Sequence, residues 1–192
     1  MSSKISLYQA LKQTGKFLSK AEITKVISSG KVTVDDVPTT ALKFQFSPKK
    51  RIVCVEGKQI SFVAKKYIVM NKPAGYSCQK NDNFAYVMNL LDLDAQTKNS
   101  LFPIGRLDIP TIGLIIITND GTLSALLSEP KRNVTKTYRA LLKQKITQEQ
   151  INSLNSGVSI EVDSKFYKTL PAVVTKLDEN NIEISITEGK YR

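Results

Sequence analysis

The chain has 192 residues, 41% of them hydrophobic, and its 28 lysines and arginines outnumber 17 aspartates and glutamates to give a net charge of +11. That length suits one or two globular domains, and the charge points to a polyanionic partner, nucleic acid first. The sequence contains no histidine, which excludes histidine-based catalysis and most transition-metal sites. Its two cysteines, Cys54 and Cys78, make neither a metal spacing nor a disulfide framework, so core thiols in a reducing compartment are expected. No apolar run approaches the roughly 20 residues that span a bilayer, and no signal-peptide core follows the first methionine. A cytoplasmic monomer without membrane contact is the expectation.

The charge is uneven. Residues 1–64 hold 11 basic against 4 acidic residues, or +7, and the remainder holds 17 against 13, or +4. The more basic first third therefore reads as a separate binding module. Within it, Leu7, Ala10 and Leu11 share the face of a short helix over Ile5–Lys12 that ends near Gly15. Ser19 stands three residues before Glu22, a capping-box signature, and Ala21, Ile23, Val26 and Ile27 supply an apolar face up to Gly30. Lys20, Lys25 and Lys31 point away from that face. Lys31–Val34 reads as a strand and Asp35-Asp36 as a turn. Leu42, Phe44 and Phe46 alternate, and Arg51–Val55 is another strand ending at Glu56-Gly57. Residues 58–65 read as a linker.

Tyr67–Asn71 is predicted as a strand running into the turn Lys72-Pro73-Ala74-Gly75-Tyr76. Phe84–Leu91 is predicted helical, and Asp92–Ser100 a polar loop. Leu101–Ile104 then delivers the chain to Gly105-Arg106-Leu107-Asp108-Ile109-Pro110-Thr111-Ile112-Gly113. The apolar run Leu114–Ile117, predicted as a buried strand, and the polar turn Thr118-Asn119-Asp120-Gly121 follow. An ionisable group beside a buried strand is costly to desolvate unless it is paired or used. Asp108 is that group, and Arg106 is its nearest basic neighbour in sequence. Leu123–Leu127 is predicted as a short helix closed by Pro130, and Val134–Tyr138 as a strand that points Lys136 and Tyr138 the same way. Thr147–Ser156 is a helix with Thr147 and Gln150 as its capping box. Gly157–Val162, Val173–Lys176 and the alternation of Ile182, Ile184 and Ile186 are strands.

The segment 105–121 resembles the catalytic motif G-R-L-D-x-x-T-x-G-L-[LI]-[LI]-[LI]-T-N-D-G of RsuA-type pseudouridine synthases, the family of small-subunit rRNA enzymes. N-K-P-A-G-Y-S-C (71–78), the K-x-Y pair Lys136 and Tyr138, L-P-A (170–172) and I-T-E-G-K-Y-R (186–192) are similar to further landmarks of that family, in the same order. Residues 4–60 resemble, more loosely, the S4 RNA-binding domain through F-L-S-K-A-E-I-T-K-V-I-S-S-G-K-V-T-V-D-D. Here Lys20 and Ala21 stand where that domain carries two basic residues, and Asp35-Asp36 where it carries Asn-Gly.

The resemblance implies an α+β architecture. A small S4-like RNA-binding domain (1–60) precedes a pseudouridine synthase catalytic domain (65–192) with a mostly antiparallel sheet and flanking helices. It implies that Asp108 is the nucleophile, attacking the ribose C1′ or the uracil ring. It further implies that Tyr138 stacks on the target base and acts in proton removal at C5, and that Arg106 pairs with Asp108 or fills the gap left by a flipped nucleotide. Lys72 and Lys136 bind phosphate or frame the pocket, while Lys20, Lys25 and Lys31 position the RNA. No cofactor and no metal are called for. The implied substrate is small-subunit (16S) ribosomal RNA, free or in a ribosome-assembly intermediate. A large-subunit (23S) target and a non-catalytic RNA-binding protein of the same fold are the alternatives. In the family the last motif continues into a basic stretch whose side chain approaches the catalytic carboxylate, so the end at Arg192 reads as a truncation.

Overall fold

The computed structural model describes residues 4–80, 83–162 and 164–189, and the chain folds into two compact units, one ending at Ser124 and one starting at Ala125. The terminal motif's Lys190–Arg192 lie outside the described residues.

The first unit holds two separate apolar cores. In the N-terminal one, β1 (Ile5–Ser6) leads into α1 (Leu7–Gln13), whose start is a reciprocal capping box between Ser6 and Gln9. Its buried Leu7, Ala10 and Leu11 meet Ile23 and Ile27 of α2 (Lys20–Ser28). The Ser19 side chain accepts from Glu22 N as the sequence predicts, but the Glu22 carboxylate accepts from Leu18 N, one residue earlier than a capping box requires. A four-stranded antiparallel sheet follows in the order β3-β2-β5-β6: β2 (Val32–Val34), β3 (Val37–Pro38), β5 (Val53–Val55) and β6 (Lys58–Gln59). Its two hairpins close through Asp35-Asp36 and Glu56-Gly57, all four residues with φ between +49° and +76°. Positive φ at both central positions is what a right-twisted two-residue hairpin demands. The alternation at 42–46 yields only β4 (Gln45–Phe46), paired with β1. The carbonyls of Leu42 and Phe44 are taken by the amides of Tyr8 and Leu7 at the start of α1, so no longer strand forms.

The second core is built on an antiparallel sheet β10-β11-β7, from β7 (Tyr67–Lys72), β10 (Phe102–Ile104) and β11 (Gly113–Thr118). Strand period two sends Ile115 and Ile117 into the core with Val87, Met88 and Leu101. Leu114 is 68% exposed, so the run predicted as a buried strand is buried on one face only. Two expectations fail between β7 and β10. Residues 84–91 form β9 (Ala85–Tyr86), which pairs in parallel with β8 (Tyr76–Ser77), and then a 3-10 turn (Val87–Leu90) rather than an α-helix. The polar stretch 92–100 contains a helix, α3 (Ala95–Ser100), capped by the Asp94 side chain on Thr97 N, with Thr97 and Ser100 buried. Then α4 (Gly121–Ser128) follows β11, and the division between the units falls inside it.

In the second unit β12 (Lys136–Leu141), β16 (Asn181–Ile186) and β15 (Val173–Lys176) form an antiparallel sheet in that order, and α5 (Gln148–Ser156) starts at the predicted Thr147–Gln150 capping box. Ile151 of α5 packs on Ile182 and Ile146 in the third core. A hairpin of β13 (Ser159–Val162) and β14 (Lys165–Lys168) completes the unit; β14 was not anticipated. Among the described residues every strand pair except β8–β9 is antiparallel, which agrees with the predicted α+β class.

Candidate active site

Asp108 sits in the loop that joins β10 to β11. Gly105 opens the loop at φ +75°, a left-handed conformation that favours glycine, and a turn in which Thr111 N donates to Asp108 O (3.0 Å) reverses the chain. The backbone is tied down on both sides of Asp108. Leu107 N donates to the buried Cys78 Sγ (3.3 Å), and Ile109 O accepts from Gly75 N (2.9 Å) and from Lys72 Nζ (3.2 Å). Between those anchors the Asp108 side chain is exposed, and no ion pair among the described residues includes it. Among the described residues no ion pair joins Asp108 to Arg106, and both lie at the surface rather than in the desolvated pair expected.

Lys72 departs from the expected phosphate contact. It ends β7 wholly buried, and its ammonium donates to Pro73 O (2.9 Å) as well as to Ile109 O. A lysine without solvent access cannot reach a phosphate at the surface, so of the two roles read for it the framing one is compatible with the geometry. It fastens the Pro73–Gly75 turn to the loop that carries Asp108, which is why motifs some 35 residues apart in sequence meet here.

Lys136 and Tyr138 lie in the second unit. They occupy one face of β12, both half-buried, opposite Ile186 and Ile184 of β16 as strand periodicity predicts. Lys136 Nζ makes a long bond to Val134 O (3.4 Å). Near the end of β16 a cavity of about 160 Å³ is lined chiefly by Leu154, Ile160, Leu170, Ile184 and Ile186. At its rim Glu188 accepts from Tyr167 Oη (2.7 Å) and Leu170 N (2.5 Å), which ties the Leu170-Pro171-Ala172 landmark to the Glu188-Gly189 one. The bond to Glu188, with burial and the carboxylate charge, raises the Tyr167 phenol above its ordinary pKa.

The three lysines read as RNA contacts, Lys20, Lys25 and Lys31, are at the surface. Lys20 and Lys25 are exposed on α2, and Lys31, just before β2, pairs with Glu56 at 2.6 Å. Lys31 reaches a phosphate only by leaving that carboxylate.

Sequence reasoning missed a second ionic centre, at the far end of β11. Asp120 accepts from Lys65 Nζ (2.7 Å), Tyr67 Oη (2.8 Å) and Thr122 N (3.0 Å). Burial by itself would raise the Asp120 pKa, but the bonds from Lys65, Tyr67 and the Thr122 amide outweigh it and hold the carboxyl at about 2. Beside it Asn119 accepts from Lys66 N (2.9 Å) and donates to Ala64 O (3.0 Å), while Thr118 Oγ1 donates to Lys66 O (2.6 Å). The Thr-Asn-Asp run was visible as a turn, but its partners lie more than fifty residues upstream.

Among the described residues no group of three or more Cys, Asp or Glu side chains is placed to hold a metal, and no helix is long and apolar enough to cross a membrane. A family model described as RNA pseudouridylate synthase matches residues 66–192. The ribosomal small subunit pseudouridine synthase A of Vibrio cholerae serotype O1 is 35% identical over 175 residues, covering 90% of this chain and 73% of that protein. An uncharacterized RNA pseudouridine synthase, YtzG, of Bacillus subtilis strain 168 is 36% identical over 177 residues, with 90% and 73% covered. A crystal structure of a pseudouridylate synthase superposes with a TM-score of 0.63 at 25% identity, covering 97% of this chain and 79% of that one.

Proposed function

The chain belongs to the RNA pseudouridylate synthase family, and from that premise we propose that it isomerises a uridine of small-subunit ribosomal RNA, with Asp108 as the nucleophile. Pseudouridine formation breaks the N1–C1′ bond of uridine, turns the base and rejoins it through C5, so the site needs a nucleophile that is ionised at neutral pH and can also leave. A carboxylate meets both needs. The observation that carries this reading is the Asp108 carboxylate itself: it is open to solvent, on a loop whose backbone is fastened at residues 107 and 109. Fixing the backbone while leaving the side chain open to solvent positions a nucleophile for its substrate.

In this reading Tyr138 stacks on the flipped base and Lys136 contacts phosphate beside it. Arg106, exposed two residues from Asp108, takes the space that the nucleotide vacates. Residues 4–60 act as an S4-like module, with exposed Lys20 and Lys25, and Lys31 once released from Glu56, neutralising backbone phosphates. The choice of small-subunit RNA is supported by relatives named for that substrate.

The test is tritium release from small-subunit rRNA transcripts labelled at uracil C5. Wild type is expected to release tritium, and Asp108→Asn to bind the same RNA without release. Equal release by both would remove Asp108 from the reaction. Salt-dependent binding without release by either would leave an RNA-binding protein in place of the enzyme.

A further inference from the structure

The N-terminal module and the sheet that carries Asp108 are joined by a seam that lies outside both of their apolar cores. Each buries its own apolar residues, Leu11 and Ile27 among those of one core and Ile117 and Val87 among those of the other. The seam between them is made instead of hydrogen bonds to backbone carbonyls and one close backbone approach. Contacts of that kind add little apolar burial, but they fix relative placement within tenths of an ångström.

The seam has two attachment points. At the end of α1, Gly15 lies against α3 at φ +67°, where an added Cβ would stand 1.9 Å from Gln96 O. Around it Gln96 Nε2 donates to Thr14 O (2.8 Å), and Lys12 Nζ donates to Asn99 O. Burial, and then the nearby charge of Lys80, lower the Lys12 pKa, so this ammonium is committed to the seam at some electrostatic cost. At the second point Val63 N donates to Gln13 O (3.1 Å), and the next residue's carbonyl, Ala64 O, is held by Asn119.

Both points meet the same end of one ladder. Helix α3 runs through Leu101 into β10, Asn119 follows β11 directly, and Phe102 and Thr118 face each other where the two strands meet that end. The loop with Asp108 closes the opposite end. The separation between the seam and the nucleophile is therefore set by strand length, about 17 Å for the six residues of β11.

We propose that this seam is a spacer: it fixes the distance between RNA held by the N-terminal module and the uridine presented to Asp108, with Gly15, Lys12 and Gln96 as positioning residues that select the site of modification. The proposal rests on residues 4–60 binding RNA and on Asp108 acting as the nucleophile. Modules of one chain joined by a short linker move relative to each other by default, and a polar seam of this kind suppresses that motion.

The experiment uses Gly15→Val, which drives a wedge into the seam, and the double substitution Lys12→Met with Gln96→Ala, which removes the side-chain bonds of the first attachment point without a wedge. Each is assayed on a full-length small-subunit rRNA transcript and on a short hairpin containing only the uridine that wild type modifies. Pseudouridine is mapped at every position. Exchange of the Val63 amide reports opening of the seam, and thermal melts report folding. Turnover on the transcript is expected to fall about tenfold or more, with pseudouridine appearing at neighbouring uridines, while turnover on the hairpin stays within about twofold of wild type. Equal losses on both RNAs would overturn the spacer in favour of a structural seam. Unchanged turnover and site choice on the transcript, with Val63 exchanging faster, would overturn it as well. Wild-type turnover reports on the reaction and the transcript-to-hairpin ratio on the spacer, so the two readings fail separately.

Discussion

The β10–β11 ladder has an aspartate at each end, and the two are treated in opposite ways. Asp120 keeps only 11% of its side chain exposed and is filled by three donors that hold it at about pKa 2. Asp108 is exposed, with no ion-pair partner among the described residues, while the backbone on either side of it is fastened. A carboxylate that holds structure has its lone pairs occupied; one that reacts must keep them for the substrate. The most strongly perturbed acid among the described residues is thus the one that ties the chain together, and a search for reactive groups by perturbed pKa alone would select Asp120 over the proposed nucleophile Asp108.

Four substitutions sharpen or break this contrast, and the largest effect belongs to Asp108. Asp108→Asn is expected to lower tritium release by at least about 10³-fold, while a melting curve places its stability within about 0.5 kcal/mol of wild type, because an exposed side chain leaves no buried group unsatisfied. A large loss of stability would mean that Asp108 is a structural acid after all. Lys72→Met keeps the buried volume but orphans Pro73 O and weakens the hold on Ile109 O. Urea unfolding should show a loss of about 1–3 kcal/mol, with activity reduced through a looser loop and RNA affinity nearly unchanged. Reduced affinity at unchanged stability would restore Lys72 as a phosphate contact.

Asp120→Asn tests the other end through pH. The folded carboxyl is depressed from 3.8 to about 2, so its contribution is fully present above the unfolded value and is lost as pH falls from about 4 through 2. That contribution is about 2 kcal/mol. The asparagine variant should be less stable by roughly this amount at neutral pH, and the gap should close on acidification; thermal melts across that range check both. A gap that persists at the lowest pH would mean that packing, not charge, sets the value of this site. Lys31→Ala has the smallest expected effect on stability, within about 0.5 kcal/mol, because its pair with Glu56 is more than half exposed. Its signature is in RNA binding, where the slope of log affinity against log salt should fall by about 1.

Local signals made the scaffold readable. Ser19 and Thr147 cap their helices as predicted, Ile182, Ile184 and Ile186 alternate in β16, and the paired turns Asp35-Asp36 and Glu56-Gly57 close hairpins. The loop bearing Asp108 was legible for the same reason, since glycines and a proline crowd one short stretch. Where meaning depends on distant partners, the sequence is silent. Lys72 ends a strand, as many surface lysines do, and of the two carbonyls that receive its ammonium one, Ile109 O, lies 37 residues on. Asp120 waits on Lys65 and Tyr67, more than fifty residues away. Helix α3 has no apolar face for periodicity to detect; it buries Thr97 and Ser100 and is recognisable chiefly by its Asp94 cap. Residues 84–91 show helical spacing at Val87, Leu90 and Leu91, yet the chain pairs Ala85-Tyr86 with β8 and then turns tightly.

Cys78 gives the loop beside Asp108 a clock of its own. The residue is 5% exposed and its Sγ takes the Leu107 amide as a donor, so an alkylating reagent reaches it only when the loop lifts. The other thiol, Cys54 on β5, is half-buried on the N-terminal sheet, outside its apolar core, and serves as an internal reference on the same molecule. The ratio of the two labelling rates therefore counts how often the loop opens, without any engineered label. A bound RNA that clamps the loop should slow the first rate and leave the second alone, which turns substrate engagement into a quantity measurable by mass spectrometry.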